Sequence, residues 1–308
     1  MEPELLRLEW NQASQSPMKS HLIAGLLLFV VAASAAELPD IRSVPADLTV
    51  PALSKGAPAP GKRVKRVLAA SLNERVYHVL YLPTDWKPGA RLPVLVELAG
   101  NGGYTNQFGD ISTGRPEGSN LGYGLSAGRG FIWLCVPYLN AAGDDLALTW
   151  WGDKPRHDPQ PTLKHLRDTV RSVCQEFGGD ESRVVLCGFS RGAIACNFLG
   201  LHDDATAGLW RGFFAYSHYD GVRPWPYPGS DRAAALIRLQ RQGSRPQFIC
   251  GEGANAAETE KYLRPLLPEA KLTFASTGFR NHNDAWVLRP SAAREQARQW
   301  LNALTQAP

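Results

Sequence analysis

The feature that most constrains the fold of this chain is a regular alternation of continuous apolar runs with amphipathic helical stretches. Apolar runs at residues 92–100, 130–140 and 183–189 are typical of strands buried on both faces of a sheet. Residues 162–177 instead repeat apolar side chains at helical spacing, which predicts a helix. The other predicted strands are 74–83, 211–217, 246–252 and 271–276, and the other predicted helices are 193–201, 231–241, 257–267 and a last one capped by Ser291. The alternation predicts an α/β fold with a mostly parallel sheet and helices on both faces.

The composition is that of an ordinary globular protein, with 44% hydrophobic and 20% charged residues in 308. A formal net charge of +4 is too small for this length to indicate nucleic-acid binding. The five cysteines lie in apolar strands or on apolar helix faces, which predicts buried free thiols and leaves a disulfide as the alternative. No spacing of cysteine or histidine indicates a metal site, and we expect no cofactor.

The N-terminal region has the pattern of a secretory signal peptide. Lys19 precedes an apolar run at residues 22–36, which ends in small residues and is too short for a comfortable membrane span. We therefore expect residues 1–36 to be an extension with a cleaved signal peptide, and residues 37–308 to form a single domain. The protein would then be secreted or periplasmic, with no stable membrane insertion after cleavage. An uncleaved N-terminal anchor is the alternative.

A serine lies between two glycines at the point where a predicted strand passes into a predicted helix, in Gly188-Phe189-Ser190-Arg191-Gly192. Such a sharp turn projects the hydroxyl beyond the strand ends, where open parallel sheets bind ligands. A Cβ on either glycine would collide with the strand or the helix. The helix start also offers the backbone N–H of Arg191 to a developing oxyanion. These features predict that Ser190 is a catalytic nucleophile.

This strand–turn–helix motif resembles the nucleophile elbow of the α/β-hydrolase superfamily. By order of elements the resemblance covers roughly residues 74–306, and it is nearest to secreted serine esterases of the polyhydroxybutyrate-depolymerase-like and feruloyl-esterase-like branch. Those proteins have a helix similar to residues 163–184 before the nucleophile strand. The resemblance implies an α/β-hydrolase fold and a triad in the order serine, acid, histidine. Of the seven histidines, only His282 follows the last predicted strand, so it is the implied base.

The triad acid is where the sequence departs from the superfamily pattern. The usual position, a few residues after the strand at 246–252, holds Ala254 and Asn255. Asp220, after the preceding strand, is our favoured candidate because some members of the superfamily carry the acid there. Glu252 is the second candidate, and another residue, or none, remains open.

The resemblance also assigns a second oxyanion donor and suggests substrate contacts. Residues 96–104 align with the His-Gly-Gly-type loop of such esterases, although Ala99 replaces the histidine, and Asn101 falls where the donating N–H would be. Aromatic residues crowd the loops on the predicted catalytic side. Among them, Trp151 and Trp225 are our candidates for substrate binding, with lid or core packing as the alternative.

These residues predict a secreted serine hydrolase that cleaves carboxylic esters through an acyl-enzyme. The expected partner is a small-molecule or polysaccharide ester, or a polyester, and not nucleic acid. A peptidase of the same fold and a non-catalytic ligand-binding protein are the alternatives. The short chain argues against the first, because such peptidases usually carry a further large domain. The intact Ser190 motif and His282 argue against the second.

Overall fold

The computed structural model describes residues 37–69, 71 and 73–306. Its centre is a sheet of eight strands in the order β1-β2-β6-β3-β7-β8-β9-β10, and β4 and β5 form a separate small hairpin. The strands are β1 Arg63–Arg66, β2 His78–Tyr81, β3 Leu92–Leu98, β4 Tyr104–Thr105, β5 Ile111–Ser112, β6 Ile132–Val136, β7 Gly179–Phe189, β8 Gly212–Tyr216, β9 Gln247–Gly251 and β10 Leu272–Ser276.

The main sheet is mostly parallel, as predicted. Strands β6, β3, β7, β8, β9 and β10 all run in one direction. Strand β2 is antiparallel to both of its neighbours, β1 and β6. The central parallel strands β3, β6 and β8 are buried along nearly their whole length, because helices cover both faces of that part of the sheet.

Seven α-helices are described, besides short 3-10 turns: α1 Leu121–Ser126, α2 Gln160–Phe177, α3 Arg191–Phe198, α4 Asp204–Ala207, α5 Arg232–Leu239, α6 Asn255–Leu263 and α7 Ala292–Thr305. Successive residues of a strand point to opposite faces of the sheet, so the hydrophobic core has two parts, one on each face. Val94 and Val96 belong to a core cluster that also contains buried residues of α2, α3, α5 and α6, whereas Leu95 belongs to a second cluster with residues of α1 and α7. The Ser291 hydroxyl accepts a hydrogen bond from the Arg294 N–H and caps α7, as predicted.

The parallel topology brings five loops to one edge of the sheet. The segments that follow β3, β7, β8, β9 and β10 leave their strands at the same end, because the carboxyl ends of parallel strands meet there. These segments begin with Ala99, Ser190, Ser217, Glu252 and Thr277. The candidate catalytic residues therefore lie where an open α/β sheet binds its ligands.

The proposed signal peptide, residues 1–36, lies outside the described residues. Within the described ranges, no helix has both the length and the apolar character needed to cross a membrane. All five cysteines are buried as free thiols.

Candidate active site

Ser190 occupies a strained turn between β7 and α3. Its φ is +55°, which an L-residue with a side chain rarely adopts. The Ser190 N–H donates to the carbonyl of Tyr216 at the end of β8, 2.9 Å away, and so fixes the turn against the sheet. A Cβ on Gly188 would collide with the backbone of Gly192, and one on Gly192 would collide with the carbonyl of Leu98. Both glycines are therefore required by the close approach of strand and helix, as the sequence predicted.

A continuous series of hydrogen bonds links three of the candidate residues. The Oγ of Ser190 lies 2.9 Å from Nε2 of His282, and Nδ1 of His282 lies 2.7 Å from Oε1 of Glu252. His282 is on the loop after β10, and Glu252 directly follows β9. This is the geometry in which a carboxylate orients a histidine and the histidine can accept the proton of a serine hydroxyl.

Two further side chains hold the Glu252 carboxylate. The Ser217 hydroxyl donates to Oε1 at 2.9 Å, and the Asn255 amide donates to the same oxygen at 2.8 Å. Burial opposes the ionisation of Glu252, but the hydrogen bond and charge of His282 and the other donors outweigh it, so the pKa of this carboxyl is below its ordinary value. Glu252 is thus held as an anion against His282.

Asp220, the favoured acid from the sequence, is not beside His282. Its carboxylate is fully buried and forms a bidentate ion pair with Arg238 of α5, at 2.8 and 3.1 Å. Burial raises the pKa of Asp220 to about 6, against the opposing effect of Arg238. The structure therefore corrects the ranking of the two candidates: Glu252 contacts the histidine, and Asp220 pairs with an arginine behind the site.

A buried carboxylate, Asp110, fixes the loop that carries His282. Its Oδ2 accepts the backbone N–H of His282 at 3.1 Å, and its Oδ1 accepts the side-chain amides of Asn281 at 2.9 Å and Asn283 at 3.1 Å. The ring of Tyr104 packs edge-on against the His282 imidazole, with centroids 5.0 Å apart. The β4–β5 hairpin region therefore holds the histidine in place.

The two predicted oxyanion donors both lie at the Ser190 cavity. Arg191 is the first residue of α3, and Asn101 is on the loop after β3; both line the cavity together with Ser190 and His282. Within the described residues, neither the Arg191 nor the Asn101 backbone N–H donates to any other group. Unpaired N–H groups beside a nucleophile are what an oxyanion hole requires.

The cavity at Ser190 is small and partly aromatic. It has a volume of about 160 Å³, and its remaining lining residues are Tyr104, Ser112, Trp150, Phe189, Ile194, His218 and Trp225. Of the two tryptophans predicted to contact substrate, Trp225 lines the cavity but Trp151 does not. The Trp151 ring is fully buried and stacks on Phe198 and Tyr138, because it faces the α3 side of the core, and its neighbour Trp150 reaches the cavity instead.

The sequence analysis missed Ser217 and His218, which follow β8 directly. His218 lines the cavity, its ring centroid lies 5.1 Å from that of His282, and burial, followed by the charge of His282, lowers its pKa to about 4. Polar residues at the end of a parallel strand were the signal that could have found both. A larger groove of about 920 Å³ lies along α2 and contains none of the three hydrogen-bonded residues. No cluster of metal-binding side chains occurs among the residues described.

The chain matches no protein-family model. Two curated proteins are similar to parts of it. Lipase 4 of Diutina rugosa is 29% identical over 134 residues, covering 40% of this chain and 22% of that protein. Lipase 2 of Geotrichum candidum is 26% identical over 203 residues, covering 63% of this chain and 34% of that protein. The chain thus spans about a third or less of the curated relatives it matches.

Solved structures show the same fold at low sequence identity. Thermogutta terrifontis esterase 2 is 16% identical with a TM-score of 0.52, covering 81% of this chain and 96% of that one. The isopeptidase AtxE2 is 17% identical with a TM-score of 0.51, covering 80% of this chain and 40% of that one. Together with the eight-stranded, mostly parallel sheet, these likenesses show an α/β-hydrolase fold.

Proposed function

We propose that this protein is a serine hydrolase that cleaves carboxylic esters. The observation that carries the proposal is the series of hydrogen bonds from Ser190 Oγ through His282 to Glu252, with Ser190 at a strained turn facing a cavity. The partial similarity to two lipases supports an ester as the substrate, and the α/β-hydrolase fold agrees with it.

The geometry supports a two-stage acyl transfer. Ser190 Oγ attacks the ester carbonyl while His282 Nε2 takes its proton, and the N–H groups of Arg191 and Asn101 stabilise the oxyanion. Glu252 stabilises the imidazolium, which then protonates the departing alcohol oxygen. A water molecule attacks the acyl-enzyme with His282 again as base, and the carboxylic acid leaves as Ser190 regains its proton.

The size of the cavity favours a short acyl group. Its volume of about 160 Å³ is well below that of sites for drug-sized ligands. Trp150, Trp225 and Phe189 provide an apolar wall, whereas Ser112 and His218 provide polar groups. We therefore propose short acyl esters as substrates, including acyl groups on polysaccharides or short hydroxyacyl units of polyesters, as in the esterase branch that the sequence resembles. A secreted or periplasmic location, proposed from the N-terminal sequence, would suit such substrates.

The proposal is tested by turnover of p-nitrophenyl acetate, butyrate and octanoate, with the corresponding anilides assayed in parallel. We expect ester turnover that falls with chain length and is lost in Ser190→Ala. Ser172→Ala on the outside of α2 is the matched control and should keep full activity. Anilide cleavage at a comparable rate would indicate a peptidase instead, and no turnover by a folded protein would indicate a binding protein.

A further inference from the structure

The side chain of Arg191 is an unusual buried cation. It is fully buried at the first position of α3, and among the residues described its side-chain hydrogen bonds all go to backbone carbonyls rather than to a carboxylate. Burial lowers its pKa to about 10, which leaves it charged at neutral pH. A buried charge without a counterion is costly unless hydrogen bonds satisfy it.

Backbone carbonyls take the place of the missing carboxylate. One terminal nitrogen donates to the carbonyls of Trp150 at 2.5 Å and Ala147 at 3.2 Å. The other donates to Gly100 at 2.9 Å and Gly114 at 3.2 Å. The guanidinium carbon also lies 3.7 Å from the centre of the Tyr138 ring. One cation therefore joins three loops that surround the Ser190 cavity.

One of these hydrogen bonds acts on the peptide group that carries the second oxyanion donor. The Gly100 carbonyl and the Asn101 N–H belong to the same planar peptide, and in a trans peptide they point in opposite directions. Anchoring the Gly100 oxygen on Arg191 therefore fixes the direction of the Asn101 N–H. The Asn101 side chain is also engaged, since its Oδ1 accepts the Trp150 N–H at 2.9 Å.

We propose that the Arg191 side chain is a positioning residue for the oxyanion hole, acting through the Gly100–Asn101 peptide. Arg191 would then serve the hole twice: its own N–H is one donor, and its guanidinium orients the other. A cation on the carbonyl oxygen also polarises the peptide and makes its N–H a stronger donor. This inference rests on the proposed ester hydrolysis.

The test compares Arg191→Met and Arg191→Lys with the parent protein. We would measure kcat and KM for p-nitrophenyl acetate and the affinity for a short alkyl trifluoromethyl ketone. Ser190 Oγ adds to the ketone carbon, His282 takes the hydroxyl proton, and the ketone oxygen becomes an oxyanion in the hole. We expect kcat and ketone affinity to fall together in Arg191→Met by about 30- to 300-fold. This is somewhat less than the effect of removing one oxyanion donor altogether, because the Asn101 N–H stays in place but loses its orientation. KM should stay within about threefold, since the interaction acts only in the transition state. Arg191→Lys should retain part of both values.

Arg63 provides a matched control. It is also a buried arginine, it donates to the carbonyls of Pro116, Glu117 and Ser119, and it lies over the Trp133 ring, but it does not contact the Asn101 peptide. Arg63→Met should lower the melting temperature while the folded enzyme keeps kcat and ketone affinity within about threefold.

The inference is overturned if both Arg191 variants lower only the melting temperature and keep kcat and ketone affinity in the folded enzyme. An equal loss of both quantities in Arg63→Met would also overturn it, because the effect would then be general loosening of the fold. If Arg191→Met does not fold, Arg191→Lys alone decides between these results. A parent protein that neither cleaves esters nor binds the ketone would refute the proposed function itself, which is a separate outcome.

Discussion

At the scale of single residues, two serines are held in conformations that side chains rarely adopt. Ser190 has a φ of +55° and Ser217 a φ of +88°, and they directly follow the neighbouring strands β7 and β8. Such conformations cost about 1–3 kcal/mol each and persist where the surroundings enforce them. Both hydroxyls lie 2.9 Å from a nitrogen of His282, Ser190 from Nε2 and Ser217 from Nδ1. Ser190 and Ser217 are two of the five non-glycine residues with positive φ in the described chain, and both contact the proposed base.

The first prediction concerns the acid. Glu252→Gln removes the negative charge that stabilises the His282 imidazolium and places an amide against Nδ1. We expect kcat for p-nitrophenyl acetate to fall by about 10³- to 10⁴-fold, as for other triads that lose the charge of their acid. Glu258→Gln on α6 is the matched control and should retain activity. Full activity in Glu252→Gln would exclude Glu252 as the acid.

The second prediction concerns Asp220. Asp220→Asn leaves the buried Arg238 without a charged partner, and breaking such a pair typically costs about 3–5 kcal/mol. We therefore expect the free energy of unfolding, measured with urea, to fall by about this amount while the folded fraction keeps its kcat. A loss of kcat by orders of magnitude at unchanged stability would instead return Asp220 to the catalytic site.

The choice between these two acids could not be made from sequence. Glu252 and Asp220 both follow strands of the parallel sheet, so the topology places both at the catalytic edge. What distinguishes the two carboxylates is Arg238 of α5, whose guanidinium pairs with Asp220. Sequence spacing does not specify such a side-chain contact. The nucleophile was easier to predict because its constraint is local, in two glycines and a strand–helix junction.

At the scale of elements, the β4–β5 hairpin region connects the loop after β3 to the loop after β10. Asp110, just before β5, accepts hydrogen bonds from Asn281, His282 and Asn283. The same segment continues from Asn101, the proposed oxyanion donor. The position of the base and the position of the oxyanion hole are therefore coupled through one stretch of chain.

The third prediction tests this coupling. Asp110→Asn places an amide nitrogen among groups that all donate hydrogen bonds, so the His282 loop should shift. We expect kcat to fall by about 10- to 100-fold, since a displacement near 1 Å costs about that much. Asp47→Asn is the matched control: it weakens an ion pair with Arg294 and should leave kcat unchanged. Unchanged kcat in Asp110→Asn would show that the loop holds its position without this carboxylate.

The elements that the sequence predicted are the long ones with a clear pattern. The helix expected at 162–177 is α2, Gln160–Phe177, and the strand expected at 92–100 is β3, Leu92–Leu98. Strand β1, the β4–β5 hairpin and helix α1 were missed because they are too short to show a period. The hairpin that holds His282 could therefore not be foreseen.

At the scale of the whole molecule, two buried carboxyl groups connect β3, the strand before the Asn101 loop, to the segment that follows His282. Glu97 in β3 and Asp284 both accept the N–H of Asn120, at 3.2 and 3.1 Å. Burial raises the pKa of both groups, and the charge of Glu97 raises that of Asp284 further, to about 7. The folded protein therefore retains protons that the unfolded chain releases.

The fourth prediction is the resulting pH dependence of stability. Because the pKa of Asp284 is raised on folding, its contribution is fully present below the unfolded value of about 4 and is lost as the pH rises towards 7. We expect Asp284→Asn to reduce the fall in unfolding free energy between about pH 4 and pH 7, measured by urea denaturation. Asp168→Asn, on the exposed side of α2, should retain the parent's dependence. An unchanged dependence in Asp284→Asn would show that this group is ionised in the folded protein.

The most direct test of the catalytic account is labelling with a fluorophosphonate probe, which reacts only with an activated serine. We expect stoichiometric labelling of residues 37–308 at Ser190, no labelling of Ser190→Ala, and a loss of nearly all labelling in His282→Ala, because His282 must take the hydroxyl proton. Circular dichroism on each variant would confirm that it is folded. A folded parent protein that resists the probe, or labelling that persists in Ser190→Ala, would contradict the account.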